Sequence, residues 1–242
     1  MKLDKCVYTN AGGRSYNEDA VGDAGLDDYG IYVLCDGLGG HALGEVASQA
    51  AVDVIIDGWQ NDVLLDRKEW LPTVIKRANN KILELQQEKN KVMKSTVVAL
   101  VIDDKKAVWA NTGDSRLYYI HGGELISVTE DHSVAYKKYK AGEITREAIA
   151  TDEDQSSLLR TLGNEDRYEP TVYESEGPLE KGDAFMLCSD GAWEYLLDQE
   201  VLIDYHKAMD ANHWMELMLT RIMSRVDGKS DNLSMITVIV DE

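Results

Sequence analysis

Short apolar runs bounded by turn residues recur along this chain. Cys6–Thr9, Ile31–Cys35, Ser95–Ile102, Ala107–Asn111, Leu117–Ile120, Leu125–Val128, Ala184–Cys188 and Met235–Val240 are rich in β-branched or aromatic residues, and each reads as a strand. Asp103-Asp104-Lys105-Lys106 and His121-Gly122-Gly123 read as hairpin turns. Neighbouring hairpins argue for antiparallel sheets rather than βαβ crossovers. Two long stretches change to a helical period. Glu45 to Ile56 places Val46, Ala47, Ala50, Ala51, Val54 and Ile55 on one face, and Glu69 to Gln87 carries Leu71, Val74, Ile75, Ala78, Ile82 and Leu85. A later helix, about Trp214 to Val226, shows Leu217, Met218, Arg221 and Ile222 at similar spacing. Antiparallel strands with helices packed outside predict an α+β layered sandwich.

The segment 133–163 breaks this pattern. It holds Lys137-Lys138-Tyr139-Lys140, then Gly142, then Asp152-Glu153-Asp154, and it reads as short helices and loop inserted between two strand groups. We expect a flap, the part most free to move. No Ser/Gly/Pro-rich linker and no repeat divides the chain, so residues 1–242 are expected to form one domain carrying that flap.

Composition narrows the function. The formal net charge is -19 over 242 residues, which disfavours holding a nucleic-acid backbone. The cysteines Cys6, Cys35 and Cys188 form no disulfide framework and no CxxC knuckle, and they read as core thiols in a reducing cytoplasm. No signal peptide is expected at the N-terminus, and the apolar run Val97 to Ile102 is far too short to span a bilayer. The basic residues from Arg67 to Lys94 are interleaved with Glu69, Glu84 and Glu88 and read as a solvated helix face.

The chemistry is carried by acidic motifs far apart in sequence. Asp36 follows the Ile31–Cys35 strand and precedes Gly37, Gly39 and Gly40. Ser189-Asp190-Gly191 repeats the arrangement, Asp114 lies between Gly113 and Ser115, and Asp231-Asn232 precedes the last strand. Alone, Asp36 reads equally as a ligand or as a glycine-rich turn residue capping the Glu45 helix, and each of the others is more often a turn aspartate than a ligand; three such strand-end sites in one domain reverse that balance. Carboxylates at the ends of buried strands are costly to desolvate, and several at one spot repel one another. A hard cation is their natural partner, which points to a di-metal hydrolase. Arg14 is the candidate phosphate clamp because its planar fork suits phosphate oxygens, with a surface pair to Glu18 or Asp19 as the alternative. Arg116 reads as a structural tie between the Asp114 loop and a carboxylate. His41 reads as a proton donor, a water-orienting group or a plain helix N-terminal residue. A cysteine phosphatase needs an arginine six positions after its thiolate, and Cys6, Cys35 and Cys188 are followed there by Gly12, His41 and Glu194.

With these residues in view, the chain resembles the metal-dependent protein phosphatases of the PPM or 2C type, in their bacterial form. The resemblance runs from about Tyr8 to Val240 through an ordered set of motifs: GGRSYNED, CDGLGGH, STVVAL, ANTGDSR, TEDHS, AGEIT, LLRTLG, LCSDGAWE and SDNLS. It implies a four-layer αββα sandwich of two antiparallel sheets flanked by helices, with a flap near the site. It also implies hydrolysis of phosphoserine or phosphothreonine in proteins with Mn²⁺ or Mg²⁺, two core ions and a third, weaker one. By the family pattern Asp36 bridges the core pair, the Gly37 carbonyl completes one ion, and Asp190 and Asp231 hold the other. Glu18 acts through a water, Asp114 shares the third ion with Asp190, Arg14 binds the phosphate, and Asp19 stands behind the ligands.

Two departures stand out. Eukaryotic members place a histidine after the Asp-Gly pair, where this chain has Leu38, so the leaving-group proton is expected from a metal-bound water and His41 is not assigned as the acid. The flap also lacks a His-Pro pair and has Asp152-Glu153-Asp154-Gln155 instead. All-oxygen carboxylate sites suit Mg²⁺ or Mn²⁺ better than zinc. Two such ions would yield a bridging hydroxide near neutral pH that attacks phosphorus directly, with Arg14 stabilising the equatorial oxygens and no phosphoenzyme. The leading expectation is a cytoplasmic, monomeric phosphatase that opposes a cognate Ser/Thr kinase in signalling. The alternatives are a catalytically inactive phosphatase-like binding module, an acidic metal buffer, and a phosphatase acting on an anti-sigma-factor-like phosphoserine protein. Lys137, Lys138 and Lys140 either read acidic sequence around the phosphosite or only solubilise the flap.

Overall fold

In the computed structural model, residues 1–39, 43–62, 66–103 and 106–241 are described. The strands are β1 (Leu3–Asn10), β2 (Asp19–Leu26), β3 (Tyr29–Leu38), β4 (Lys94–Ser95), β5 (Val97–Asp103), β6 (Lys106–Thr112), β7 (Arg116–His121), β8 (Glu124–Val128), β9 (Thr171–Glu174), β10 (Ala184–Cys188) and β11 (Leu233–Val240). The helices are α1 (Leu43–Asn61), α2 (Arg67–Lys89), α3 (Val134–Lys140), α4 (Asp190–Trp193), α5 (Asp198–Lys207) and α6 (Ala211–Met223). One sheet runs β1-β11-β10-β7-β8 and the other β2-β3-β5-β6-β9, with β4 paired to β3. All these pairings are antiparallel.

The two-residue period of the strands builds the layers. In β3, Ile31, Val33 and Cys35 face α1 and α2, while Tyr32 and Leu34 face the other sheet. In β10, Ala184, Met186 and Cys188 face α6 and the flap side, while Phe185 and Leu187 point between the sheets. There the Tyr119 and Phe185 rings stack at 4.9 Å, and Trp109 stacks on Tyr173 at 5.9 Å. Small residues on the buried face of α1 (Ala47, Ser48, Ala51) let it lie close on the second sheet. Asp66 caps α2 by accepting from the Lys68 N–H at 2.8 Å, and Asn90 ends it in the left-handed region at φ 49°. The result is an αββα sandwich, as the sequence predicts.

Several boundaries differ from the sequence reading. Ser95–Ile102 is split into β4 and β5, because Thr96 leaves the ladder to bond Asp36. The last long helix spans Ala211–Met223 rather than Trp214 to Val226, capped by Asp210, which accepts from the His213 N–H at 2.7 Å. β2 was not anticipated because Asp19, Gly22, Asp23 and Gly25 hide its alternation, and β9 is only four residues long. The β5–β6 hairpin pairs Asp103 with Lys106, while Asp104 and Lys105 lie outside the described residues. Cys35 and Cys188 are core thiols, but Cys6 is half-buried beside Asn212. The 133–163 segment contains α3 and a 3₁₀ turn, Glu147–Thr151.

Glu200 locks α5 to α6. It accepts from the Leu197 N–H at 3.0 Å, twice from Arg225 at 2.7 Å, and from Arg221 at 3.1 Å. The Arg225 hydrogen bonds hold its carboxyl down at about 2. Because the folded value is depressed, its stabilisation is complete above the unfolded value of about 4.3 and fades as pH falls towards 2. Glu200→Gln should therefore lower stability in urea at pH 7 by about 1–3 kcal/mol, with the gap to wild type narrowing below about pH 4. An unchanged urea midpoint at pH 7 would show that the lock contributes nothing.

Candidate functional site

The antiparallel pairing brings the acidic motifs to one edge of both sheets. Asp19 at the start of β2 lies opposite Asp36 near the end of β3. The end of β10 pairs with the start of β11 at Cys188 and Met235, so Asp190 and Asp231 emerge together. Cys188 also pairs with Arg116, which brings the Asp114 loop to the same edge. A cavity of about 540 Å³ opens there, lined by Arg14, Glu18, Asp36, Gly37, Asp190 and Asp231 among others.

Hydrogen bonds fix each segment. The Asp36 N–H donates to Thr96 Oγ1 at 2.9 Å, and the Thr96 N–H and Ser95 hydroxyl return bonds to the Asp36 carbonyl at 2.8 and 3.0 Å. Asn232 binds the loop between β1 and β2 to the site. Its Oδ1 accepts from the Glu18 N–H at 2.8 Å, and its amide donates to the Ala11 and Tyr16 carbonyls at 2.9 and 2.8 Å. Gly191 is required because a Cβ would overlap the Asn232 carbonyl, and Gly37 because a Cβ would overlap the Gly44 and Glu18 carbonyls. The side chain of Glu18, rather than Asp36, meets the start of α1, accepting from the Gly44 N–H at 3.1 Å.

The carboxylates disturb one another. Burial, then the Asp190 charge, pushes Asp36 and Asp114 well above the ordinary carboxylate range. Burial, then Asp231, raises Asp190 to about 6. Asp19 is raised to about 7, chiefly by burial. Its Oδ2 accepts from the Ser189 hydroxyl at 2.8 Å, while its buried Oδ1 has no partner. Among the described residues no three His, Cys, Asp or Glu side chains are gathered as a closed cation cage. Arg14 Nη2 donates to Asp231 Oδ2 at 2.7 Å. Arg14 thus pairs with Asp231, not with Glu18 or Asp19.

The structure brings together Arg14, Glu18, Asp19, Asp36, Gly37, Asp114, Asp190 and Asp231; His41 lies outside the described residues. Arg116 is structural: it forks onto Asp131 at 2.8 and 2.7 Å and lies 3.6 Å over the Trp193 ring. Trp193 Nε1 donates to the Asp114 carbonyl at 2.9 Å, which seats the Asp114 loop. Gln155 was overlooked as a site residue. It donates to Glu194 Oε1 at 2.6 Å, which ties the 133–163 segment to the turn that follows Asp190. The motifs LLRTLG and LCSDGAWE carry no local signal of that contact, which spans 39 residues.

A family model described as protein phosphatase 2C matches residues 10–223. The serine/threonine phosphatase stp of Listeria monocytogenes serotype 4b is 31% identical over 232 residues, covering 93% of this chain and 90% of that protein. The crystal structure of serine/threonine phosphatase Stp1 from Staphylococcus aureus is similar with a TM-score of 0.87 and 29% identity, covering 100% of this chain and 96% of that one. The catalytic domain of the phosphatase PstP, solved in complex with two manganese ions, shares the fold with a TM-score of 0.85 at 24% identity, covering 100% of this chain and 99% of that one.

The crowding of carboxylates has a measurable consequence. In chelator-treated protein, Asp36→Asn should raise the melting temperature by about 2–4 °C, because it removes one buried charge from a repelling group. Thermal denaturation with EDTA checks this, and a lower melting temperature in the variant would contradict it.

Proposed function

The chain belongs to the protein phosphatase 2C family, and we propose that it is a metal-dependent serine/threonine phosphatase acting on phosphoproteins. The observation that carries this reading is the convergence of Asp36, Asp190, Asp231 and Arg14 on one cavity from four separate parts of the chain. The residues fit hard cations. The donors are all oxygen, they are buried or half-buried and crowd one another, and Asp19 Oδ1 has no hydrogen-bond partner. We assign two core Mn²⁺ or Mg²⁺ ions and a third, weaker one. Asp36 would bridge the core pair, the Gly37 carbonyl would complete one ion, and Asp190 and Asp231 would hold the other. Asp114 would share the third ion with Asp190. When bound, such ions supply Lewis acidity that makes a water nucleophilic near neutral pH.

The chain's own residues do the rest. The Arg14 guanidinium, which now donates to Asp231, would fork onto two oxygens of the phosphoryl group. It then holds phosphorus in line for water and stabilises the charge that grows on the equatorial oxygens. Glu18 orients a water, its carboxylate kept in place by the Gly44 N–H. Asp19, behind Asp36, holds its neighbour through the β2–β3 register. Attack by water forms a bond from its oxygen to phosphorus and breaks the bond from phosphorus to the Ser or Thr oxygen, which leaves as the alcohol with a proton from water, and no covalent enzyme intermediate is required. Cys35 and Cys188 are buried and their thiols are pushed up by burial, so neither is suited to be a nucleophile.

In this reading the protein works as a monomer in the cytoplasm against a Ser/Thr kinase. Among the described residues no helix is long and apolar enough to cross a membrane.

Purified protein should hydrolyse p-nitrophenyl phosphate and a phosphothreonine peptide with Mn²⁺ or Mg²⁺, and should stop with chelator or with Asp36→Asn. Turnover that survives in Asp36→Asn would remove the bridging assignment, and no release with any metal from folded protein would favour an inactive binding module. Arg14→Ala should raise KM for p-nitrophenyl phosphate by about tenfold to a hundredfold, and unchanged kinetics would exclude the clamp. Metal titration by calorimetry should show Asp114→Ala losing the weakest site while keeping the core pair, and equal affinities in both proteins would rule out that role.

A further inference from the structure

A second cavity, of about 500 Å³, lies at the base of the flap. Tyr136 and Leu159 form part of its wall, and Lys137, Lys140, Arg160 and Arg167 face it. Two acidic residues also line it, and both are already neutralised. Glu130 takes the Lys140 ammonium at 2.8 Å, and Asp131 takes the buried Arg116 fork at 2.8 and 2.7 Å. His132 adds no charge: it accepts from the Gly113 N–H at 3.2 Å and, pressed down to about 4 by burial and then by Arg160, stays neutral. Among the described residues no salt bridge engages Lys137, Arg160 or Arg167. Three unmatched cations therefore surround one cavity in a chain of formal charge -19.

The flap lysines are not equivalent. Lys138 is held by Asp152 and Asp154, each at 2.8 Å, and Lys140 by Glu130. Lys137, on α3, is left facing the cavity. The arginines are positioned by backbone bonds. Arg160 Nη1 donates to the Glu169 carbonyl at 3.1 Å, and the Thr161 N–H donates to the Arg167 carbonyl at 2.9 Å. The Leu159 N–H donates to the His132 carbonyl at 2.7 Å, fixing this segment to the Asp114 side of the molecule. Ser156, four residues before Arg160, lines the catalytic cavity. Four residues of extended chain span at most about 14 Å, so the backbone at the two rims is no further apart than a substrate segment of four or five residues is long.

Building on the phosphatase reading, we propose that this cavity binds an oxyanion carried by the phosphoprotein substrate. The group is an Asp or Glu carboxylate, or a second phosphate, four or five residues from the phosphorylated side chain. Arg160 and Arg167 supply forked donors and Lys137 a mobile point charge. The local positive potential offsets the repulsion that an acidic substrate meets from the rest of the surface.

The test uses the full chain with Mn²⁺ at fixed ionic strength and two phosphothreonine peptides. One is neutral around the phosphosite, and the other carries glutamates four and five residues away on both sides. Wild type should favour the acidic peptide through KM by about three- to tenfold. The double variant Lys137→Gln/Arg167→Gln should lose that preference while hydrolysing p-nitrophenyl phosphate as wild type does. Lys76→Gln, on α2, should keep it. A preference that persists in the double variant, or that falls equally in Lys76→Gln, overturns the proposal. So does a wild type without preference whose double variant loses only affinity for inorganic sulfate, which would mark a site for a free anion. If no preparation turns over p-nitrophenyl phosphate, the phosphatase reading fails and this inference goes with it.

Discussion

The structure turns on the mutual repulsion of carboxylates held out of water at one edge of two sheets. Asp114 is buried and Asp36 and Asp190 are half-buried, and the Asp190 charge raises the affinity of both Asp36 and Asp114 for a proton while Asp231 raises that of Asp190. A fold left to minimise its own energy would separate them, since a buried carboxylate without a partner costs several kcal/mol. They stay together because neighbouring ladders end at the same place, and because Thr96, Ser189 and Asn232 bond the backbone and side chains around them. The sandwich core supplies the free energy that keeps this edge intact. What remains unsatisfied within the protein is a standing demand for positive charge, and hard cations meet it.

The other buried charge in the same region shows the contrast. Arg116 and Asp131 are almost fully inaccessible, yet they form a two-pronged pair covered by the Trp193 ring. Nothing further is needed there, so that pair fixes geometry and binds nothing. Trp193 transmits the fixed position to the Asp114 carbonyl. A rigid, neutralised pair thus stands behind a loop whose own carboxylate is not neutralised. Asp114 is thereby presented to Asp190 while the support behind it stays inert.

The layering was legible in the sequence because β3, β5, β7 and β10 are short, β-branched or aromatic apolar runs ended by turn residues, although both of their faces are apolar and only the structure sorts them. β2 was not, because its ladder is held by position rather than composition: it begins at a ligand-like aspartate and has a glycine, Gly22, where α1 packs close. The acidic motifs could be found because aspartate next to glycine at the end of an apolar run is an unusual local pattern. Their partners could not. Arg14 meets Asp231 across 217 positions, and Asn232 reaches back to Tyr16 across 216. Such pairs follow from which strand ends coincide, and no local pattern encodes that.

The same limit explains why the flap lysines could not be sorted by sequence. Lys137, Lys138 and Lys140 share one short basic run, and one helical turn separates their directions by about 100° per residue. Lys138 points to the acidic stretch that follows in the flap, Lys140 to Glu130, and Lys137 to the cavity shared with Arg160 and Arg167. Charge content alone made the run equally suited to solvation or recognition. Which role each lysine has depends on the anions already within its reach. In a chain with this excess of acid, most cations find one, and the few left unmatched mark where an anion from outside has room to bind.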